Sequence, residues 1–131
     1  MNRRTRRAAA AVVAIAAATI GTAAVQEPAS ASSSQCPNGY FCVWTDSPFT
    51  GRFAYFAIGS NDLTRPIGGF VFSKKITDVW NRSGKPWCMY SGASYSGSRR
   101  WYNNGYKGYT FDFNDQALSL RAVPNPASLQ C

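Results

Sequence analysis

Beyond residue 31, the side chains best suited to chemistry are five aspartates, Asp46, Asp62, Asp78, Asp112 and Asp115, and four cysteines, Cys36, Cys42, Cys88 and Cys131. The 131-residue chain has no histidine, which excludes imidazole-based triads and histidine metal sites. Two carboxylates can furnish an acid and a base. Only Asp112 and Asp115 are close in sequence, however, and Asp112 stands between Phe111 and Phe113, as an outward-facing strand residue would. We therefore expect no enzyme. An even cysteine count in a small exported domain reads as two disulfides. Of the three pairings, Cys36 with Cys42 and Cys88 with Cys131 is favoured: the first closes a short loop through the turn residues Pro37, Asn38 and Gly39, and the second ties the C-terminal end back to a strand. Zinc is the competing use of four cysteines, but the paired short spacing of such sites is missing.

Export is read from the first 31 residues. Met-Asn-Arg-Arg-Thr-Arg-Arg is a basic start, Ala8 to Val25 is an uncharged apolar run, and Ala29-Ser30-Ala31 is a small-x-small ending, which together make a secretory signal peptide. A permanent membrane anchor is the alternative, since the run is just long enough to cross a bilayer. Its alanine richness favours cleavage after Ala31, so the expected product is a secreted, extracellular, single-domain chain of residues 32–131 without a membrane segment.

Without the leader the chain keeps ten basic and five acidic residues. That excess permits weak attraction to acidic wall polymers or to an acidic protein, and falls short of the concentrated basic face of a nucleic-acid binder. The cluster Arg99-Arg100-Trp101-Tyr102 could stack on bases or sugars, but reads more simply as the edge of a β-sheet. Asn81-Arg82-Ser83 is a glycosylation sequon on paper only.

The elements that must position these residues are short strands. Beyond the leader no stretch keeps a helical period, and aromatic and β-branched residues are interrupted by glycine at short intervals, the pattern of an all-β domain. The clearest strand candidates are residues 53–58, 70–72, 76–81, 87–90 and 118–123. Alternation in Phe70-Val-Phe72 and Phe111-Asp-Phe113 places each phenylalanine pair on one face, directed to the core.

The chain also repeats itself. Trp44, Phe49 and Gly51 have the same spacing as Tyr90, Tyr95 and Gly97, and eight residues after each final glycine comes another, Gly59 and Gly105. If five extra residues are allowed before Phe70, residues 70–79 fall on residues 111–120. The domain is a duplicated unit, one copy at about 36–84 and the other at about 85–131. In each copy the first ring can fold over a tight hairpin, the second can pack under the fold, and the glycine supplies a backbone angle that a β-carbon would block.

These residues resemble the Greek key signature of the βγ-crystallins, which also has a serine near the last strand. Ser119 supplies it in the second copy, and Asp78 stands there in the first. The resemblance implies a βγ-crystallin-like sandwich of two Greek key motifs. Together with Cys36-Pro-Asn-Gly-Tyr-Phe-Cys42 at the start, Ile76 to Gly84 between the halves and a closing cysteine, it extends to secreted actinobacterial proteins of the streptomycete metalloproteinase-inhibitor type, and covers essentially all of residues 32–131.

That resemblance implies a monomeric inhibitor of an extracellular metalloprotease with no required cofactor. The alternatives are a non-inhibitory calcium-binding or wall-associated module, and a small crystallin-type toxin. The family's characterised inhibitor carries its reactive bond in a disulfide loop of the second half, where this chain has only Cys88 and Cys131. The constrained loop left is Cys36 to Cys42, and Tyr40 and Phe41 are its candidate contacts, Phe41 for an apolar pocket; alternatively one of them begins the first strand and points into the core. Crystallin relatives bind calcium with ligands from both copies, which here would be Asp115 with Thr77. The partner site would join Lys74 to Leu118, an ammonium and an alkyl group, and is expected to be dead. At most one weak calcium site is expected.

Overall fold

The computed structural model describes residues 32–125, 127, 130 and 131; the expected leader lies outside them. Eight strands, β1 (Phe41–Asp46), β2 (Thr50–Phe56), β3 (Gly59–Ser60), β4 (Asp78–Asn81), β5 (Trp87–Gly92), β6 (Ser96–Tyr102), β7 (Lys107–Tyr109) and β8 (Ser119–Ala122), form two antiparallel four-stranded sheets. The orders are β2-β1-β4-β7 and β3-β8-β5-β6. Each copy thus lends its third strand to the other copy's sheet, which makes the two copies one folding unit.

Pleat alternation decides what each sheet buries. Phe41, Val43, Ala54, Phe56 and Val79 from one sheet meet Trp87, Met89, Tyr102 and Leu120 from the other, with Leu63, Phe72, Ile76, Phe113 and Ala117 closing the core. Phe41 and Trp87, equivalent in the two copies, stack with ring centroids 4.7 Å apart. Cys36–Cys42 and Cys88–Cys131 are the two disulfides, each beneath an outer-face aromatic cluster.

The hairpins explain the repeat. Trp44 meets Phe49 edge-on at 5.1 Å and Tyr90 meets Tyr95 at 5.7 Å. Gly51 and Gly97 have φ of 77° and 80°, and a β-carbon on either would collide with Thr45 and Asp46 or with Ser91. Tyr95 N donates to Ser119 Oγ at 3.0 Å, and Phe49 N donates to Asp78 Oδ2 at 2.8 Å, so Asp78 does the serine's work. Ser119 also donates to Gly92 O at 2.6 Å. A carboxylate has no such proton, and Asp78 Oδ1 is buried without a partner.

Three expectations are corrected. Residues 70–72 are not a strand: Phe70 makes only an isolated bridge with Ile67. Residues 111–113 form a 3-10 turn in which Phe113 is buried and Phe111, at φ 53°, is 61% exposed, so this pair does not share a face. Gly59 and Gly105 are not equivalent either. Phe56 and Tyr102 hold matching register positions opposite Phe41 and Trp87. Gly59 pairs with Arg121 and Lys107 with Trp80, so the connection into the third strand is two residues longer in the second copy. The excess before Phe70 is therefore seven residues, because Phe70 lies ten residues after Ser60 and Phe111 three after Gly108.

The basic stretch Arg99–Tyr102 lies in β6, an edge strand. Asp112 is exposed and pairs with Arg100 at 2.7 Å. Asn81 is buried, its Nδ2 donating to the carbonyls of Lys85, Tyr102 and Asn103, which leaves no amide free for a glycan.

Candidate functional site

The Cys36–Cys42 loop does not offer Phe41 to a partner. Phe41 begins β1 and, three residues before the outward Trp44, points inward and is fully buried. Its side chain could reach a protease pocket only by unfolding, and this corrects the expectation. Tyr40 stays half-buried at the surface, with its ring edge-on to Tyr55 at 5.0 Å. The loop is held from outside by Arg82, whose Nη1 donates to Cys36 O at 2.5 Å while its guanidinium lies over the Trp80 ring.

The two copies do bring Thr77 and Asp115 together. Thr77 Oγ1 donates to Thr45 O at 2.8 Å and lies 3.5 Å from Asp115 Oδ1, and Asn114 Oδ1 beside them is buried with no hydrogen-bond partner. Carboxylate, amide, hydroxyl and carbonyl oxygens together suit a hard cation. The pseudo-equivalent position carries Lys74, whose N donates to Ala117 O at 2.9 Å just as Asp115 N donates to Ile76 O at 3.1 Å, and beside it Leu118 offers no oxygen in its side chain. That half does not fit a cation. Among the described residues no three acidic, histidine or cysteine side chains are grouped to hold a metal.

The excess segment in the first copy was visible in the sequence only as a gap in the internal alignment. It leaves β3 at Asn61, buries Leu63 and returns at Phe70. Between these anchors Thr64, Arg65 and Pro66 are exposed. Asp62 Oδ1 accepts from Thr64 N at 2.9 Å and from Thr64 Oγ1 at 2.5 Å. Those bonds, with Arg65 Nε 3.6 Å from Asp62 Oδ2, hold the Asp62 carboxyl below its ordinary pKa. Beside the segment, Arg52, Phe53, Tyr55, Ile67, Gly68 and Phe70 line a groove of about 450 Å³ along β2, an edge strand.

A family model described as peptidase inhibitor family I36 matches residues 29–102. No curated protein matches the sequence. Among solved structures, a βγ-crystallin domain from Flavobacterium johnsoniae is 22% identical, with a TM-score of 0.55 and coverage of 65% of this chain and 94% of that one. A βγ-crystallin domain from Clostridium beijerinckii is 17% identical, with a TM-score of 0.54 over 63% and 94%. The βγ-crystallin from Ciona intestinalis is also 17% identical, at 0.54 over 65% and 100%. At these identities the likeness is one of fold: a βγ-crystallin-like sandwich.

Proposed function

Because the chain belongs to peptidase inhibitor family I36, we propose that it is a secreted inhibitor of an extracellular metalloprotease, acting as a monomer and without a required cofactor. The observation that carries this reading is the match to that family over more than half the chain. The family and the crystallin fold point to a protein that is not an enzyme, and the two disulfides fit an extracellular one. Among the described residues no helix is long and apolar enough to cross a membrane.

Rigidity is what the fold offers such a function. An inhibitor gains affinity when its contact segment is ordered before binding, since that entropy is then not lost at the interface. Two copies that exchange edge strands and carry a disulfide each give such a frame. Of the candidates Tyr40 and Phe41, only Tyr40 is left as a contact residue. The test is residual activity of a thermolysin-type metalloprotease, a subtilisin-type protease and a trypsin-type protease with increasing amounts of the purified protein. Saturable inhibition of the metalloprotease is expected, and no inhibition of any of the three would overturn the reading.

Calcium is a second, independent expectation, supported by the partnerless Asn114 oxygen next to Asp115. One weak ion would bind there with Asp115 and Thr77 as ligands and add stability in proportion to its occupancy. Calorimetry should record one weak event in the native protein and none in Asp115→Ala. Two tight ions would contradict the assignment of Lys74 and Leu118 to a dead half.

A further inference from the structure

The pseudo-twofold gives this fold an internal control. Features that the sandwich requires occur twice: the aromatic pair, the positive-φ glycine, the acceptor for the hairpin amide, and the left-handed residues Lys74 and Asp115 at φ 53° and 56°. The Asn61–Gly69 excursion occurs once, and the second copy closes the same connection without it.

The excursion is nevertheless firmly held at intervals. Ser94 N donates to Asn61 O at 2.8 Å, Leu63 N to Leu118 O at 2.8 Å, and Ser73 N to Leu63 O at 3.0 Å. Ile67 and Phe70 exchange two backbone hydrogen bonds across Gly68-Gly69, which take φ of 56° and 80°. The result is an ordered projection whose outermost residues, Thr64 to Pro66, are free to contact another molecule.

Its surroundings are cationic. The Arg65 side chain is 79% exposed, and Arg52 and Lys75 lie over the Phe70 ring at 5.2 and 4.9 Å. Asp62 is the one carboxylate in this group, and it faces Thr64 and Arg65. Phe53, Tyr55 and Phe70 give the groove along β2 an aromatic lining beside the projection.

We propose that the Thr64–Ile67 projection is the segment that enters the peptidase's cleft, that Arg65 is directed at carboxylates lining that cleft, and that the Arg52–Tyr55 groove receives the cleft's rim. This rests on the inhibitor reading above and adds the contact surface and the charge of the partner. Opposite charge across such an interface speeds association and selects the partner. Arg65 makes only a 3.6 Å surface ion pair within its own chain, so its replacement should leave folding intact.

The experiment compares Arg65→Glu, Arg65→Lys and Arg99→Glu on whichever panel protease the native protein inhibits. Arg99 is exposed on β6, the edge strand of the other sheet, and its substitution alters net charge by the same amount. Arg65→Glu is expected to raise the inhibition constant at least about tenfold with an unchanged melting temperature, Arg65→Lys to retain most of the inhibition, and Arg99→Glu to stay within about twofold of native. Equal inhibition by Arg65→Glu and native protein, or equal losses in Arg65→Glu and Arg99→Glu, would overturn the proposal and leave the inhibitor reading standing. Native protein that inhibits none of the panel would overturn that reading, and this proposal with it.

Discussion

Phe41→Ala should destabilise the domain by about 3–5 kcal/mol, whereas Tyr40→Ala one residue earlier should cost about 0.5–1.5 kcal/mol. Phe41 is fully buried at the centre of the sandwich, stacked on Trp87 at 4.7 Å and tilted against Tyr102 at 6.0 Å. Removing its ring leaves a cavity between two sheets whose separation is set by many other side chains, so collapse around the gap is limited. Tyr40 is half-buried and loses mainly its edge-on contact with Tyr55. In a domain of this size each kcal/mol is worth about 4–8 °C in melting temperature, so the two variants should separate clearly in a thermal scan. The protease assay adds the functional half. Folded Phe41→Ala should inhibit as native protein does, and loss of inhibition at an unchanged melting temperature would show that the ring is presented to the partner after all.

Opening the Cys88–Cys131 disulfide should cost about 4 kcal/mol and opening Cys36–Cys42 about 2 kcal/mol, by the chain entropy each removes from the unfolded state. The difference follows from loop length: 43 residues separate the first pair and 6 the second. Cys131 also accepts, through its carbonyl, a hydrogen bond from the Tyr90 hydroxyl at 3.2 Å, and Arg121 lies over the Tyr90 and Tyr95 rings. Losing the longer link therefore frees the tail from the outer face of the β5–β8 pair as well. Cys88→Ser/Cys131→Ser and Cys36→Ser/Cys42→Ser double variants, unfolded in denaturant, measure the two costs. A larger loss for the short loop would mean that native-state packing around Cys36 and Cys42, rather than loop entropy, sets the order.

The sequence alone determined what local chemistry controls. A positive-φ glycine two residues after an aromatic ring, itself five residues after another, describes a folded hairpin almost without reference to the rest of the chain, and its recurrence at the same spacing implied the duplicated Greek key. Four cysteines in a small domain read as exported implied two disulfides, and the favoured pairing is the one the structure contains. The lack of histidine and the scattered aspartates removed the common catalytic constellations before any fold was known.

What only the tertiary structure decided depends on pairing between distant residues. Whether Phe41 faces the core or a partner is a matter of pleat parity, set once Trp44 is known to lie over its hairpin on the outer face. Gly59 and Gly105 match in the sequence but not in the sheets, because equivalence there is fixed by the partner strand and not by counting along the chain. Asp78 departs from the serine pattern in sequence and yet accepts the same hairpin amide, since the backbone donor asks only for an oxygen at that point. The Asn61–Gly69 excursion, seven residues longer than its counterpart in the second copy, appeared in the sequence as a gap of five with no role. Its anchoring at Asn61, Leu63 and Ile67 comes from backbone groups of Leu118 just before β8, of the β5–β6 hairpin and of its own return, and no residue within it encodes those partners.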